Sequence, residues 1–254
     1  MKSQIAAQLY TLREFTKTPK DIAKTLGRVK KLGYHAVQCS ALGPIAPAEL
    51  AHLLKEQGLA CCATHVSRER MESETQAVIQ EHHLYDCRYT AVGGYFPEGK
   101  TTAKTWSQFA AKYNSLAAKF TGSGVAIGYH NHSHELARYG RTTALEILLE
   151  KLDRSVWMEI DTYWIAHGGG DPVQWIKRVA GRMPCVHLKD MAISPRREQF
   201  MAEVGEGNLN WPDILAACRS AGVEWYIVEQ DTCYRDPFQS LAISLRNLNA
   251  LGVR

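Results

Sequence analysis

The chain has 254 residues, 45% of them apolar, and a formal charge of +4. That length buries a large core and suits one large domain or two small ones. No stretch approaches the roughly 18 consecutive apolar residues of a membrane span, and the basic residues form no tract that marks a nucleic-acid or anionic-membrane footprint. The start, Met1-Lys2-Ser3-Gln4, runs into a strand-like segment without an apolar signal region. These features predict a cytoplasmic protein with a small-molecule partner, no membrane and no nucleic acid. The seven cysteines (Cys39, Cys61, Cys62, Cys87, Cys185, Cys218, Cys233) are odd in number and form no CxxC pair, so free, mostly buried thiols are expected and a thiolate zinc site is not.

In chain order, strand-like Ile5–Leu12 precedes the amphipathic DIAKTLGRVKKLG, and Ala36–Ser40 precedes PAELAHLLKEQG. Leu59–Val66 is followed by a helical stretch holding His82-His83, Tyr89–Tyr95 by WSQFAAKYNSLAAKF, and Val125–His132 by ALEILLEKL. Val156–Trp164 leads to DPVQWIKRVAGR, Cys185–Lys189 to a long loop and WPDILAACRSAG, and Trp225–Gln230 to SLAISLRNLNALG. The helical stretches carry apolar residues at helical spacing and several close on Gly. Strict alternation predicts a parallel sheet, and eight repeats without a linker predict one domain over residues 1–254, an α/β fold of (β/α)8 TIM barrel type. An open doubly wound sheet is the runner-up. It would want a GxGxxG turn after the first strand, where Leu12-Arg13-Glu14 stands.

In such barrels the C-terminal strand ends form the active face. The fifth strand puts His130 and His132 on one face with Glu135 just beyond, and the sixth aligns Glu159 with Asp161. The seventh aligns Cys185, His187 and Lys189, and the eighth Trp225, Ile227 and Glu229. Each of these alone is equally well a barrel-mouth hydrogen bonder or half of an ion pair. Several acids and imidazoles converging from adjacent strands are better explained by a cation, because uncompensated buried like charges are costly. Without thiolates the set suits one divalent metal ion: Mn²⁺, Zn²⁺, Co²⁺ or Mg²⁺.

The segments YHNHSHEL, EIDTYW, HLKD, VGEGNLNW and VEQD, in this order on successive strands, resemble the xylose-isomerase-like barrel superfamily of sugar isomerases, sugar epimerases and inosose dehydratases. The resemblance implies a metal held by Glu135, Asp161, His187 and Glu229, residues to which the strand ends also point. Many epimerase relatives place the first glutamate inside the fifth strand, near His130, so Glu135, His130 and His132 compete for that place. The implied activity is that of a metal-dependent isomerase or epimerase on a ketose, aldose or keto-sugar, beginning with proton abstraction and a stabilised enediolate. The implied catalytic residues are Glu229 as first proton shuttle, Glu135 as second, His132 to orient a hydroxyl or act as acid, and Lys189 to stabilise the enediolate. The alternatives are a lyase or dehydratase of a keto-glycoside or inosose, an apurinic endonuclease-like repair enzyme, and a sugar-binding barrel without turnover. A homo-oligomer is implied by resemblance alone.

Lys189 has a competing structural reading, an ion pair with Asp190 or Glu159. His65 ends the third strand, within reach of the site. His134 and His82-His83 read as surface or structural residues, and His167 as part of the sixth loop. Met191 to Asn210, with Arg196-Arg197 and Gly205-Glu206-Gly207, reads as a lid or as a solvated loop, and Asn210 before Trp211-Pro212 as a helix cap. Tyr10, Tyr95, Phe96, Tyr163 and Trp164 stand at strand ends, either to pack on a sugar ring or to close the barrel. Arg196, Arg197 and Arg235 are a thin supply of cations for a phosphate, so an unphosphorylated substrate is expected.

Overall fold

A computed structural model describes residues 4–253. Eight parallel strands close into a barrel: β1 (Ile5–Gln8), β2 (Ala36–Cys39), β3 (Ala60–His65), β4 (Tyr89–Val92), β5 (Ala126–His130), β6 (Trp157–Asp161), β7 (Cys185–Leu188) and β8 (Trp225–Val228). Each is hydrogen-bonded to its neighbours in sequence, and β8 closes on β1. The (β/α)8 barrel expected from the alternation is therefore the fold. The helices outside are α1 (Pro19–Leu32), α2 (Pro47–Gln57), α3 (Arg68–Ser73), α4 (Thr75–Leu84), α5 (Ala103–Phe120), α6 (Ala144–Lys151), α7 (Thr162–His167), α8 (Pro172–Arg178), α9 (Trp211–Ala221) and α10 (Pro237–Ala250).

The helix ends follow the sequence. In α1, Thr18 accepts from Asp21 N, Pro19 opens the first turn, and Gly33 at φ 106° terminates the helix. Asn210 caps α9 through Asp213 N, as its spacing predicts. α1 buries Ile22, Thr25, Leu26 and Val29, and together such faces form the main apolar core between helices and barrel.

Several strands are shorter than their apolar runs suggest. β1 stops at Gln8, whose side chain accepts from Tyr10 N and turns the chain into a 3-10 segment, Leu9–Phe15. β6 stops at Asp161, which accepts from Trp164 N and so caps α7. After β7 the chain forms a hairpin, Asp190–Ile193 paired with Gln199–Ala202. The loop behind it is gathered on Asp190, which accepts from the N–H groups of Gly205, Gly207 and Leu209 and from Trp211 Nε1 at 2.5 Å. A side chain at position 207 would collide with that carboxylate, which accounts for the second glycine of Gly205-Glu206-Gly207.

The barrel interior is layered. At its base a small apolar cluster includes Ala6, Ala36, Cys62, Tyr89, Trp157, Cys185 and Ile227. The Trp157 indole fills space that only Gly128 leaves open on β5. Above it the register sets Gln8 beside Gln38 and His130 beside Glu159. Higher still, Asp161 stands beside His187. All seven cysteines are free thiols, six of them buried and Cys233 partly exposed.

Candidate metal centre

Four strands deliver one metal-competent side chain each to a single point at the C-terminal mouth. The nitrogen and oxygen atoms of His130 (β5), Asp161 (β6), His187 (β7) and Glu229 (after β8) all lie within 4.8 Å of one another, and all four residues are buried. His130 Nε2 is 3.3 Å from Asp161 Oδ2, and His187 Nδ1 is 3.7 Å from Asp161 Oδ2 and 2.8 Å from Glu229 Oε2. His187 Nδ1 and Glu229 Oε2 make no well-directed hydrogen bond although no solvent reaches them. Buried polar atoms without a well-directed partner are costly. Two imidazoles and two carboxylates without thiolate therefore fit a borderline or hard divalent cation.

Of the four residues implied by resemblance, the structure brings Asp161, His187 and Glu229 together and leaves Glu135 out. Past β5 the chain enters a 3-10 turn, His134–Leu136, which points the Glu135 carboxylate back into the protein. There Oε1 accepts from Tyr129 Oη at 2.7 Å and Oε2 from His132 N at 2.9 Å. Burial outweighs the favourable His134 and Tyr129 contacts and holds this carboxyl above its ordinary range. His130 occupies the corresponding place in the cluster.

Lys189 is the counter-ion. Its ammonium, 1% exposed, lies 3.0 Å from Asp161 Oδ2, 2.7 Å from Glu229 Oε2 and 3.0 Å from Asp231 Oδ2. Neither Asp190 nor Glu159 is its partner: Asp190 is committed to the loop amides, and Glu159 lies deeper in the barrel. Burial alone would lower the Lys189 pKa, but Asp161, Glu229 and Asp231 overcome it and push the pKa up, so the charge persists. Burial likewise opposes ionisation of Glu229, and Lys189 with His187 reverses the balance, holding this carboxyl well below the usual range. Asp161 is ionised for the same reason, with Lys189 and His130 as its main partners.

Above the cluster a cavity of about 450 Å³ is lined by Tyr10, Ser40, His65, Phe96, His132, Trp164, Lys189 and Asp231 and, of the cluster itself, by His130 and Glu229. Burial, then His130 and Lys189, lower the His132 pKa to about 2, so the ring is neutral. Its Nδ1 and the Trp164 Nε1 are buried polar atoms without a partner, and the two rings lie 5.2 Å apart. Tyr10, Phe96 and Trp164 thus face the cavity. Tyr95 and Tyr163 instead pack inward, Tyr95 stacked on Phe109 and Tyr163 on His167. His134 is structural, bonded to Tyr95 O, and His82 is buried against Thr64. Arg196, Arg197 and Arg235 do not line this cavity.

His65 enters the site and pairs with Glu159, which alternation sets on the same face of its strand as Asp161, although the pairing itself is not legible in the chain. His65 Nε2 is 2.6 Å from Glu159 Oε2, and Glu159 is fully buried. Gln38, Gln8 and Asp231 were missed. The signal for the two glutamines is in the chain, since each interrupts an otherwise apolar strand (IAAQ, AVQC) on the face that alternation turns inward.

A closed eight-stranded parallel barrel with a buried His/Asp/Glu cluster at its C-terminal mouth defines the class. Residues 26–250 match the xylose isomerase-like TIM barrel family, and the chain belongs to that family. It is 28% identical to an inosose dehydratase of Geobacillus kaustophilus (strain HTA426), over 85% of this chain and 82% of that protein. It is also 27% identical to the rhizopine catabolism protein MocC of Rhizobium meliloti, over 53% of this chain and 45% of that one. Among solved structures, a sugar phosphate isomerase/epimerase from Parabacteroides distasonis ATCC 8503 superposes with a TM-score of 0.82 at 22% identity, covering 98% of this chain and 94% of the other. An L-ribulose 3-epimerase superposes with a TM-score of 0.71 at 16% identity, covering 99% and 94%. No described helix is long and apolar enough to cross a membrane.

Proposed function

We propose that the protein is a divalent-metal-dependent enzyme that removes a proton next to the carbonyl of a small, uncharged keto-polyol, with elimination as the outcome. The observation that carries this reading is the convergence of His130, Asp161, His187 and Glu229 under a cavity whose one lysine is matched by three carboxylates. A cation held by those four residues would supply Lewis-acid polarisation of the substrate carbonyl. Glu229, ionised and at the edge of the cavity, takes the proton, and the C–H electron pair becomes the enolate double bond. Lys189 stabilises the charge that develops on oxygen. The same proton then returns from Glu229 to the departing hydroxyl or glycosyl oxygen on the next carbon, so that water or an alcohol leaves. His132 and Trp164, with unpaired polar atoms, orient the remaining hydroxyls.

One feature disfavours the epimerase expectation. A two-base epimerase built on Glu229 and Glu135 needs both carboxylates at the substrate carbon, and Glu135 is turned away onto Tyr129 Oη and the His132 amide. The likeness to inosose dehydratase supports elimination. Aldose–ketose isomerisation is the second reading, because a single carboxylate such as Glu229 suffices to move a proton between adjacent carbons. The lack of an uncommitted cation in the cavity supports an unphosphorylated substrate.

The test is incubation of the metal-loaded protein with an inosose, a 3-keto-glycoside and simple ketoses, with product mass recorded. Loss of water or of an alcohol supports elimination. A product of unchanged mass supports isomerisation, and no conversion of any of them by metal-loaded protein contradicts the proposal.

A further inference from the structure

Beneath the ligand cluster, the barrel interior holds a chain of directed hydrogen bonds where TIM barrels are usually filled by branched apolar side chains. Its starting point is a backbone amide, which can only donate. Tyr10 N donates to Gln8 Oε1 at 3.2 Å, which fixes the Gln8 amide with its nitrogen toward Gln38. Gln8 Nε2 donates to Gln38 Oε1 at 2.6 Å, so that oxygen is the acceptor end of the Gln38 amide. Gln38 Nε2 then donates to Glu159 Oε1 at 2.9 Å, where a carboxylate oxygen can only accept, and both ends of the amide agree. The remaining neighbour of Gln38 Oε1 is His187 Nε2, at 2.6 Å across the barrel. An oxygen that already accepts from Gln8 forces this ring nitrogen to carry a proton.

We propose that Gln38, oriented by Gln8, is the positioning residue that commits His187 to the Nε2–H form and leaves its Nδ1 lone pair for a cation. This rests on the reading that the cluster binds a cation. Gln8, Gln38 and His187 are all fully buried, so water does not substitute for the amide, and the other acceptor near Nε2, Glu159 Oε1, stands farther off at 3.3 Å. The chain also holds the ring plane, since His187 is gripped on its Nε2 side and turns its Nδ1 toward Glu229 Oε2, 2.8 Å away, and Asp161 Oδ2, 3.7 Å away. None of Gln8, Gln38 and Glu159 lines the substrate cavity.

The probe is Co²⁺ alone, with affinity taken from calorimetry and ligand geometry from the visible absorption spectrum. Gln38→Leu fills the same space without an acceptor and is expected to weaken Co²⁺ binding about 10- to 100-fold and to alter the spectrum, with the far-ultraviolet circular dichroism unchanged. Gln38→Glu keeps an oxygen on His187 Nε2 and is expected to recover most of the affinity. Gln8→Met leaves the Gln38 amide free to turn over and is expected to lose a smaller factor, which keeps the idea testable if Gln38→Leu does not fold. Wild-type affinity and spectrum in both Gln38→Leu and Gln8→Met would overturn this inference while leaving the cation site standing. A wild type that binds no Co²⁺ would overturn the cation reading and this inference with it.

Discussion

Lys189 keeps its charge in the barrel mouth because Asp161, Glu229 and Asp231 surround it. Removing it leaves buried carboxylates without a counter-ion, so Lys189→Met is expected to lower unfolding free energy by about 3 kcal/mol. The same variant is expected to lower kcat by about 100-fold or more, through loss of charge stabilisation of the enolate. Denaturant unfolding and steady-state kinetics check the two effects separately. At this scale the sequence was most informative where strands end and least where loops turn back. Asp161, His187 and Glu229 are legible because each sits on the inward face of an apolar strand or just past its end. Glu135 misleads because nothing in YHNHSHEL shows that a 3-10 turn reverses its direction and offers it Tyr129 Oη and a backbone amide. The partners of Lys189 are no more legible, since Asp231 becomes adjacent to it only through barrel closure.

Between strands and helices, single polar side chains hold whole segments in place. Asp190 accepts from several amides and the Trp211 indole, and Asp190→Ala is expected to cost about 3 kcal/mol, since each orphaned buried donor costs about 1–3 kcal/mol. Faster amide exchange over residues 203–210 in that variant would localise the effect. In α6, Thr143 and Glu146 form a reciprocal capping box, and Thr143→Ala is expected to cost about 1 kcal/mol in thermal or denaturant unfolding. The Thr143 amide, then Arg178, pull the Glu146 pKa from 4.5 down to about 2. A carboxyl depressed in the folded state binds its proton more readily when unfolded, so this contribution is complete above about pH 4.5 and fades as pH falls toward 2. His82 acts in the same direction at higher pH. Burial lowers its pKa below 6.5, the unfolded chain takes the proton first, and stability declines as pH falls below 6.5. His82→Gln is expected to flatten that part of the stability–pH curve, measured by urea unfolding.

Across the whole molecule the barrel is graded from apolar base to polar mouth: Tyr89 and Trp157 below, Gln8, Gln38 and Glu159 in the middle, and the His130–Asp161–His187–Glu229 cluster above. The eight-fold alternation that closes the barrel was readable from period and Gly-terminated helices. The polar middle was legible only in part: Gln8 and Gln38 stand out as polar residues on the inward face of apolar strands, but their partners appear only when closure brings β1, β2, β6 and β7 around one axis. A cation that binds this cluster in the folded chain and not in the unfolded one is expected to raise stability by about 2.7 kcal/mol at a metal concentration 100 times its Kd, and a chelator to reverse it. The most direct measurement is elemental analysis of the purified wild type beside an Asp161→Ala, His187→Ala double variant, each assayed for turnover of keto-polyols. The account predicts one equivalent of a divalent metal in the wild type, lost in the variant together with activity. A wild type that contains no metal and stays inactive when supplied with Mn²⁺, Zn²⁺, Co²⁺ or Mg²⁺ would contradict it.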